Sequence, residues 1–231
     1  MSMTYYKIFK ELAYGCAESP YGHQVYEIPG EYPKLEGGAV LCKWGYHFCT
    51  PAQLLRYLYQ AQTICEVIPH GEVLIDDQKC CTVGKITILE PLNWNERIAR
   101  LLGADFAEHV LHNFERDYPN DDRPRKAIEA ARKFANGEIS LKELGRASYA
   151  AADAAYNAAD ATAVNAAYYA ADAAYCAANA ATYAADAANA AANAAADAAY
   201  YAAGPVPSNT ARQVEKQRQA ARLEQYLRGE V

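Results

Sequence analysis

The sequence predicts an α+β protein in which a small β-rich domain with one helix precedes an all-helical, alanine-rich domain. Three observations lead to this fold class. Short runs of β-branched and aromatic residues, bounded by turn residues, fill residues 1–92. After Pro91 apolar residues recur at helical spacing instead. In the alanine run, residues 147–203, 34 of 57 residues are Ala and none is Gly or Pro, which strongly favours helix. We therefore expect domains at 1–92 and 93–231.

The first domain is predicted to contain short strands around one helix. Thr50 suits the N-cap of that helix, Pro51 its first position and Gln53 a capping box. The expected strands are 5–9, 24–28, 39–42, 46–49, 64–68, 72–75 and 85–89. Together these elements indicate a curved sheet with a helix packed against it.

The second domain is predicted to begin with a helix over about residues 95–116. Start and stop signals at Asp121-Asp122 and Gly137 define a second helix, and a capping box at Ser140 opens a third. Ser208 would cap a last helix that reaches about Arg228. A single helix through the alanine run would be about 85 Å long, so compactness favours several packed helices. Asn165 and Asn179 are weak turn candidates.

The distinctive side chains of the alanine run are separated only by three and four residues, an average of about 3.64 over 14 steps from Tyr149 to Tyr200. On a helix they form one stripe of Tyr, Asp and Asn. Its side chains either face solvent or an internal polar seam, or they form a recognition surface, since Tyr is enriched at interfaces. We predict that a protein partner binds Tyr168, Asp172, Tyr175, Asn179, Tyr183 and Asp186.

Candidates for catalysis and metal binding are weak, and we predict no catalytic residue, metal or cofactor. His109 and His112 lie three apart on a helix, but no third ligand is evident. In the predicted strand around Tyr46-His47-Phe48-Cys49, His47 and Cys49 share a face. With His23 and Glu72 they would form a nucleophile cluster, but core aromatics and a hydrogen-bonded His are favoured. The sequence contains neither a phosphate-binding Gly loop nor the G-x-S-x-G nucleophile elbow of hydrolases.

Charge and cysteine content restrict the class of partner. The net charge of −6, with five Asp and no Lys or Arg in the alanine run, argues against nucleic acid and suits a basic partner. No apolar stretch approaches the length of a membrane span, and the first residues lack a signal-peptide pattern. Seven cysteines without an export signal indicate reduced thiols, and hence the cytoplasm of a bacterial host cell. None of them forms the C-x-x-C pair that is typical of a zinc site.

Two stretches resemble known families. Residues 94–228 are similar to an alanine-rich helical family of immunity proteins of bacterial toxin systems, on Trp94-Asn95-Glu96-Arg97, the D-R-P-R-x-A-I-E-A-A-R sequence that starts at Asp122, Asn136-Gly137-Glu138-Ile139 and the alanine run. Residues 1–92 resemble an uncharacterised domain of phage and mobile-element proteins, on G-Y-H-F-C-T from Gly45, Cys65-Glu66-Val67, Gly71-Glu72-Val73 and Asp76-Asp77.

The resemblance implies a protein of phage or mobile-element type that binds and neutralises a toxin or a host defence protein, in an immunity or anti-defence role. Two alternatives stay open. In the first, the protein is a structural scaffold whose helices assemble with those of other copies of the chain, so that it forms a homo-oligomer. Alternatively, residues 1–92 would form a nucleotide-binding or ADP-ribosyltransferase-like module.

Overall fold

A computed structural model describes residues 3–10, 12–13, 16–20, 24–161, 166–179, 184–203 and 208–231. The chain divides into two compact units. Unit 1 comprises Met1–Asn95 together with Leu223–Val231, and unit 2 comprises Glu96–Arg222. Unit 1 carries the described strands and unit 2 is helical, so the predicted α+β class is confirmed.

The strands of unit 1 form three antiparallel sheets. Their orders are β1-β7-β10-β5, β2-β3-β4 and β6-β9-β8. The strands are β1 (Tyr5–Phe9), β2 (Leu12–Ala13), β3 (Cys16–Glu18), β4 (Val25–Glu27), β5 (Gly30–Tyr32), β6 (Tyr46–Phe48), β7 (Thr63–His70), β8 (Leu74–Ile75), β9 (Cys80–Thr82) and β10 (Lys85–Pro91).

The predicted helix of unit 1 begins as expected and is short. Thr50 Oγ1 accepts from the Gln53 amide, and Gln53 Oε1 accepts from the Thr50 amide, which completes the capping box. Helix α1 spans Pro51–Leu54, and a 3-10 helix continues over Leu55–Gln60. The strand expected at 39–42 is wrong, because Val40 pairs with Trp44 across a tight turn in which Cys42 has a φ of 63°.

The residues that follow Arg222 complete unit 1. The Tyr6 hydroxyl donates to the Glu224 carboxylate at 2.7 Å, and the Asn93 amide donates to the Leu227 carbonyl at 3.2 Å. Leu223 and Leu227 are buried. Unit 1 therefore combines two segments of the chain that residues 96–222 separate, and its Tyr6–Glu224 hydrogen bond joins residues 218 positions apart.

Unit 2 is a bundle in which the alanine run folds into three helices. Helix α5 packs against α2, α3, α4 and α6, which confirms packed helices over one long helix. Asn179 directly follows α5, whereas Asn165 lies outside the described residues. The helices are α2 (Glu96–Asp117), α3 (Arg123–Ala135), α4 (Leu141–Ala161), α5 (Ala166–Ala178), α6 (Ala184–Ala202) and α7 (Asn209–Leu227), the last of which enters unit 1 at Leu223. In the described part of the chain no helix is long and apolar enough to cross a membrane.

Alanine side chains allow these helices to approach closely. All eight buried residues of α5 are Ala, and so are all nine of α6. At Gly103 of α2 a Cβ atom would lie 3.3 Å from Ala188 Cα, so the α2 and α6 backbones are nearly in contact. Each buried methyl contributes only about 0.8 kcal/mol, so close packing of backbones adds stability that small side chains cannot supply.

A leucine at Gly103 tests this close approach. Gly103→Leu is expected to lower the free energy of unfolding by about 1–3 kcal/mol, because it overpacks the α2–α6 contact. Gly145 of α4 is the matched control, since a Cβ there would meet no atom within 4 Å. Gly145→Leu is expected to leave stability unchanged or to raise it by about 0.5–1 kcal/mol. Urea unfolding followed by circular dichroism measures both, and equal losses would contradict the contact.

Candidate functional site

The predicted stripe is divided among three helices. On α4, Tyr149 and Tyr156 are 75% and 66% exposed. On α5, Tyr168, Asp172 and Tyr175 are half-buried. Because the alanine run folds back on itself, the stripe is three short segments with different environments and not one continuous line.

The six predicted partner-binding residues fall on two helices and their flanks. Four belong to the α5 segment, where Asn179 Nδ2 donates to Tyr175 Oη at 3.3 Å. Asp186 is half-buried near the start of α6. Tyr183 lies outside the described residues. The buried face of α5 consists of alanine, so its polar residues are confined to the opposite, partly exposed face, which we call the α5 outer face.

Tyrosine rings connect the α5 outer face to α6. Tyr168 and Tyr169 meet edge to face, with centroids 5.0 Å apart. Tyr169 stacks on Tyr201 of α6 at 5.2 Å with an interplanar angle of 10°. Tyr201 in turn meets Tyr200 edge to face at 5.0 Å. These four rings, which we call the tyrosine ladder, hold one another in fixed orientations through favourable aromatic geometry.

An arginine of α7 closes one end of the ladder. Arg212 Cζ lies 4.9 Å from the centroid of the Tyr200 ring, and its guanidinium forms an ion pair with Asp197. The cation–π contact and the ion pair together restrict the Tyr200 ring. Sequence reasoning included Tyr168 and Tyr200 in the stripe and missed the roles of Tyr169, Tyr201 and Arg212. The two Tyr-Tyr pairs were the available signal.

Asp172 lies one turn after Tyr168 and carries an unpaired carboxylate. Among the described residues it forms no hydrogen bond or ion pair, and burial raises its pKa above the ordinary value. Asp186 shares this situation, and burial raises its pKa as well. A carboxylate that loses water without gaining a cation or a hydrogen-bond donor destabilises the free protein.

This situation is exceptional in unit 2. Every other described carboxylate that is buried or half-buried there meets an arginine. The pairs are Asp105 with Arg132 and Arg222, Glu115 with Arg125, Asp121 with Arg123, Asp197 with Arg212, and Glu215 with Arg218. An arginine therefore neutralises each of the other half-buried acids of unit 2. The two exceptions are Asp172 on α5 and Asp186 on α6.

The weaker chemical candidates form no cluster. His109 Nε2 lies 3.2 Å from the Glu215 carboxylate, and His112 Nδ1 lies 3.0 Å from the His109 carbonyl. Within the described ranges no three His, Cys, Asp or Glu residues could hold a metal ion. In unit 1, burial raises the pKa of Cys49 to about 12. That thiol is therefore a poor nucleophile at neutral pH.

The other residues considered for a nucleophile cluster with Cys49 lie in separate environments. His47 accepts a hydrogen bond from the Cys42 amide at 2.9 Å, while Tyr46 and Phe48 pack in the core. Glu72 is exposed. His23 lies outside the described residues. The preference for core aromatics and a hydrogen-bonded His is confirmed.

The fold defines unit 2 as an alanine-rich helical bundle with an aromatic and acidic outer face. A family model described as "Imm-5 like putative immunity protein" matches residues 95–226, more than half of the chain, and the chain belongs to this family. The resemblance predicted for residues 94–228 is confirmed. The match does not extend into residues 1–94, and the similarity of 1–92 to a phage domain stays a prediction. Comparisons with curated proteins and with solved structures give no significant match.

Neutralising single acids distinguishes the two kinds of carboxylate. Asp172→Asn is expected to raise the free energy of unfolding at pH 7 by about 0.5–1 kcal/mol, because it removes an unpaired charge. Asp105→Asn is expected to lower it by about 2 kcal/mol, because it leaves two arginines without their partner.

The pH dependence of the Asp172→Asn effect follows from the raised pKa. The folded pKa exceeds the unfolded one, so the ionised carboxylate destabilises the protein fully above the folded pKa. The gain should shrink as pH falls through that value and vanish below the ordinary value of about 3.9. Urea unfolding at pH 7, 5 and 3.5 measures it, and a loss of stability in Asp172→Asn at pH 7 would contradict the unpaired state.

Proposed function

We propose that this protein is a non-enzymatic immunity protein that binds and neutralises a toxin through the α5 outer face and the tyrosine ladder. Membership of the immunity family supports the role, because the matched region contains both surface features. The observation that carries the choice of surface is the unpaired Asp172 beside Tyr168. Such an acid reduces the stability of the free protein, and a cation supplied by a partner would reverse that penalty.

The ladder has the properties of an interface anchor. Tyr offers a large contact area with few rotatable bonds, and the ring contacts between α5 and α6 have already fixed its orientation. Binding therefore orders little that is not ordered in the free protein. Hydroxyl groups at the ring tips supply hydrogen bonds at the same time.

The charge of the surface indicates a basic partner. Asp172 and Asp186 would each pair with an Arg or Lys of the toxin, and charge complementarity would speed association at low salt. We infer that this occurs in the cytoplasm of a bacterial host, in accord with the six described free cysteines. A host defence protein with a basic surface would be bound by the same chemistry, which is the anti-defence form of the proposal.

The α4 segment provides an internal comparison of identical residue types. Tyr149, Asp153 and Tyr156 repeat the spacing of Tyr168, Asp172 and Tyr175. Both α4 tyrosines are mostly exposed. Fully solvated side chains lose more freedom on binding and gain less from desolvation of a charge. We therefore assign binding to the α5 segment.

Asp172→Asn is the sharpest functional variant, because we expect it to fold at least as stably as the native chain. The native protein is first used to capture its partner from a lysate of bacteria that carry it, and mass spectrometry identifies the partner. Affinity for that purified partner should fall about 10- to 100-fold in Asp172→Asn. It should stay within about twofold in the control Asp153→Asn. Interferometry measures both affinities.

Growth provides the second measurement. Co-expression of the native chain should protect cells from the captured toxin. The α5 triple variant Tyr168→Ala/Asp172→Asn/Tyr175→Ala should not protect them. The matched α4 triple variant Tyr149→Ala/Asp153→Asn/Tyr156→Ala should still protect them. Equal protection by both triple variants would contradict the assigned surface. A captured partner that does not harm cells in the absence of this chain would contradict the immunity role.

A further inference from the structure

Unit 1 contains a cavity of about 520 Å³ beside β1 and β6. That volume lies within the range of about 300–1,000 Å³ that is typical of small-molecule sites. The loop that precedes β6 contributes Cys42, Lys43 and Trp44 to the wall. Because the family match begins at residue 95, after every residue of the cavity wall, the immunity role leaves the cavity unexplained.

The cavity contains a buried amine with no acid beside it. Lys7 of β1 is only 6% exposed, and its Nζ donates to the His47 carbonyl at 2.9 Å. The same atom lies 4.7 Å from the centroid of the Tyr26 ring. No carboxylate is found among the described residues that line the cavity. A neutral carbonyl and an aromatic face compensate only part of the cost of burying an ammonium group.

Two more cations and several aromatic rings complete the wall. Lys79 lies with its Nζ 5.8 Å from the centroid of the Tyr57 ring, and Lys43 is exposed at the edge. Trp44 is 49% exposed, so one part of its indole is open to an incoming ring. The wall therefore offers positive charge together with flat apolar surface.

The loop position is determined by Gly45, which also lines the cavity. Its φ is 122°, and a Cβ there would lie 2.5 Å from Cys81 Sγ and 2.8 Å from the Thr82 carbonyl oxygen. Only glycine combines that φ with so close an approach to β9. The backbone thus fixes the neighbouring Trp44 at the cavity edge.

From this combination we propose that the cavity of unit 1 binds a nucleoside monophosphate, with the phosphate at Lys7 and Lys79 and the base against the aromatic wall. The phosphate supplies the negative charge that no described residue of the cavity wall provides to Lys7, in a charge-assisted hydrogen bond. The base stacks on the open indole face of Trp44. Gln24, on the same wall, offers an amide to the ribose hydroxyls.

The titration behaviour of Lys7 gives the site a distinctive pH profile. Burial lowers the pKa of Lys7 to about 8, although the nearby thiols of Cys49 and Cys81 act in the opposite direction. The other titratable or charged groups facing this part of the cavity are His47, Tyr26, Lys79, Cys42 and Lys43. Lys7 is charged below pH 8 and loses its proton above it. Phosphate binding should therefore weaken between pH 7 and pH 9.

Calorimetry on the full chain tests the proposal with AMP, adenosine and inorganic phosphate as probes. AMP should bind the native chain at pH 7 at least about 10-fold more tightly than adenosine or phosphate alone. Lys7→Met keeps a long side chain without the charge and should weaken AMP binding about 10-fold or more. Lys34→Met removes an exposed lysine outside the cavity wall and should leave it unchanged.

A pH series separates Lys7 from the other titrating groups. The AMP affinity of the native chain should fall severalfold from pH 7 to pH 9, while that of Lys7→Met stays nearly constant. Lys7→Met must keep the native circular dichroism spectrum, and Lys79→Met serves as the second variant if it does not. Absence of AMP binding at millimolar concentration would overturn the proposal, as would equal affinity for adenosine and AMP or native affinity in both variants.

Discussion

The methyl group of alanine is the contact on which the helical unit depends. It is small enough for the backbones of α2 and α6 to meet at Gly103 and Ala188, and it brings no polar atom of its own into the bundle. The buried faces of α5 and α6 are made of nothing else. Larger and polar side chains are accordingly confined to the outer faces. The buried and the outer faces of α5 and α6 thus consist of different residue types.

The α5 outer face and α6 differ from the rest of unit 2 in how their half-buried carboxylates are compensated. Asp105 is neutralised by arginines of two other helices and Glu215 by Arg218 of its own helix, whereas Asp172 and Asp186 have raised pKa values and no partner among the described residues. Under the proposed function, the tyrosine ladder, which begins at Tyr168 beside Asp172, would reduce the entropic cost of association.

Sequence periodicity predicted the fold class, the start of helix α1 and the helical state of the alanine run, because capping and propensity are local properties. It could not show where the run folds back, since alanine has the same preference at every position. The ring contact between Tyr169 and Tyr201 was invisible for that reason. The unpaired state of Asp172 also escaped prediction, because it depends on where each arginine lies in three dimensions. The strand expected at 39–42 is wrong because Val40 pairs with Trp44 across a tight turn, and the apolar residues 39–42 carry no local signal that distinguishes the two.

Unit 1 combines Met1–Asn95 with Leu223–Val231, so the ribosome synthesises its two parts before and after unit 2. The ribosome releases β1 early, but the carboxylate of Glu224 that accepts the Tyr6 hydroxyl is made only after all of unit 2. Domains generally fold in the order in which they emerge. Here unit 1 is completed last, because the Leu227 carbonyl that accepts the Asn93 amide leaves the exit tunnel only after all of unit 2. Chaperone demand should therefore be concentrated on the β-rich unit and not on the helices.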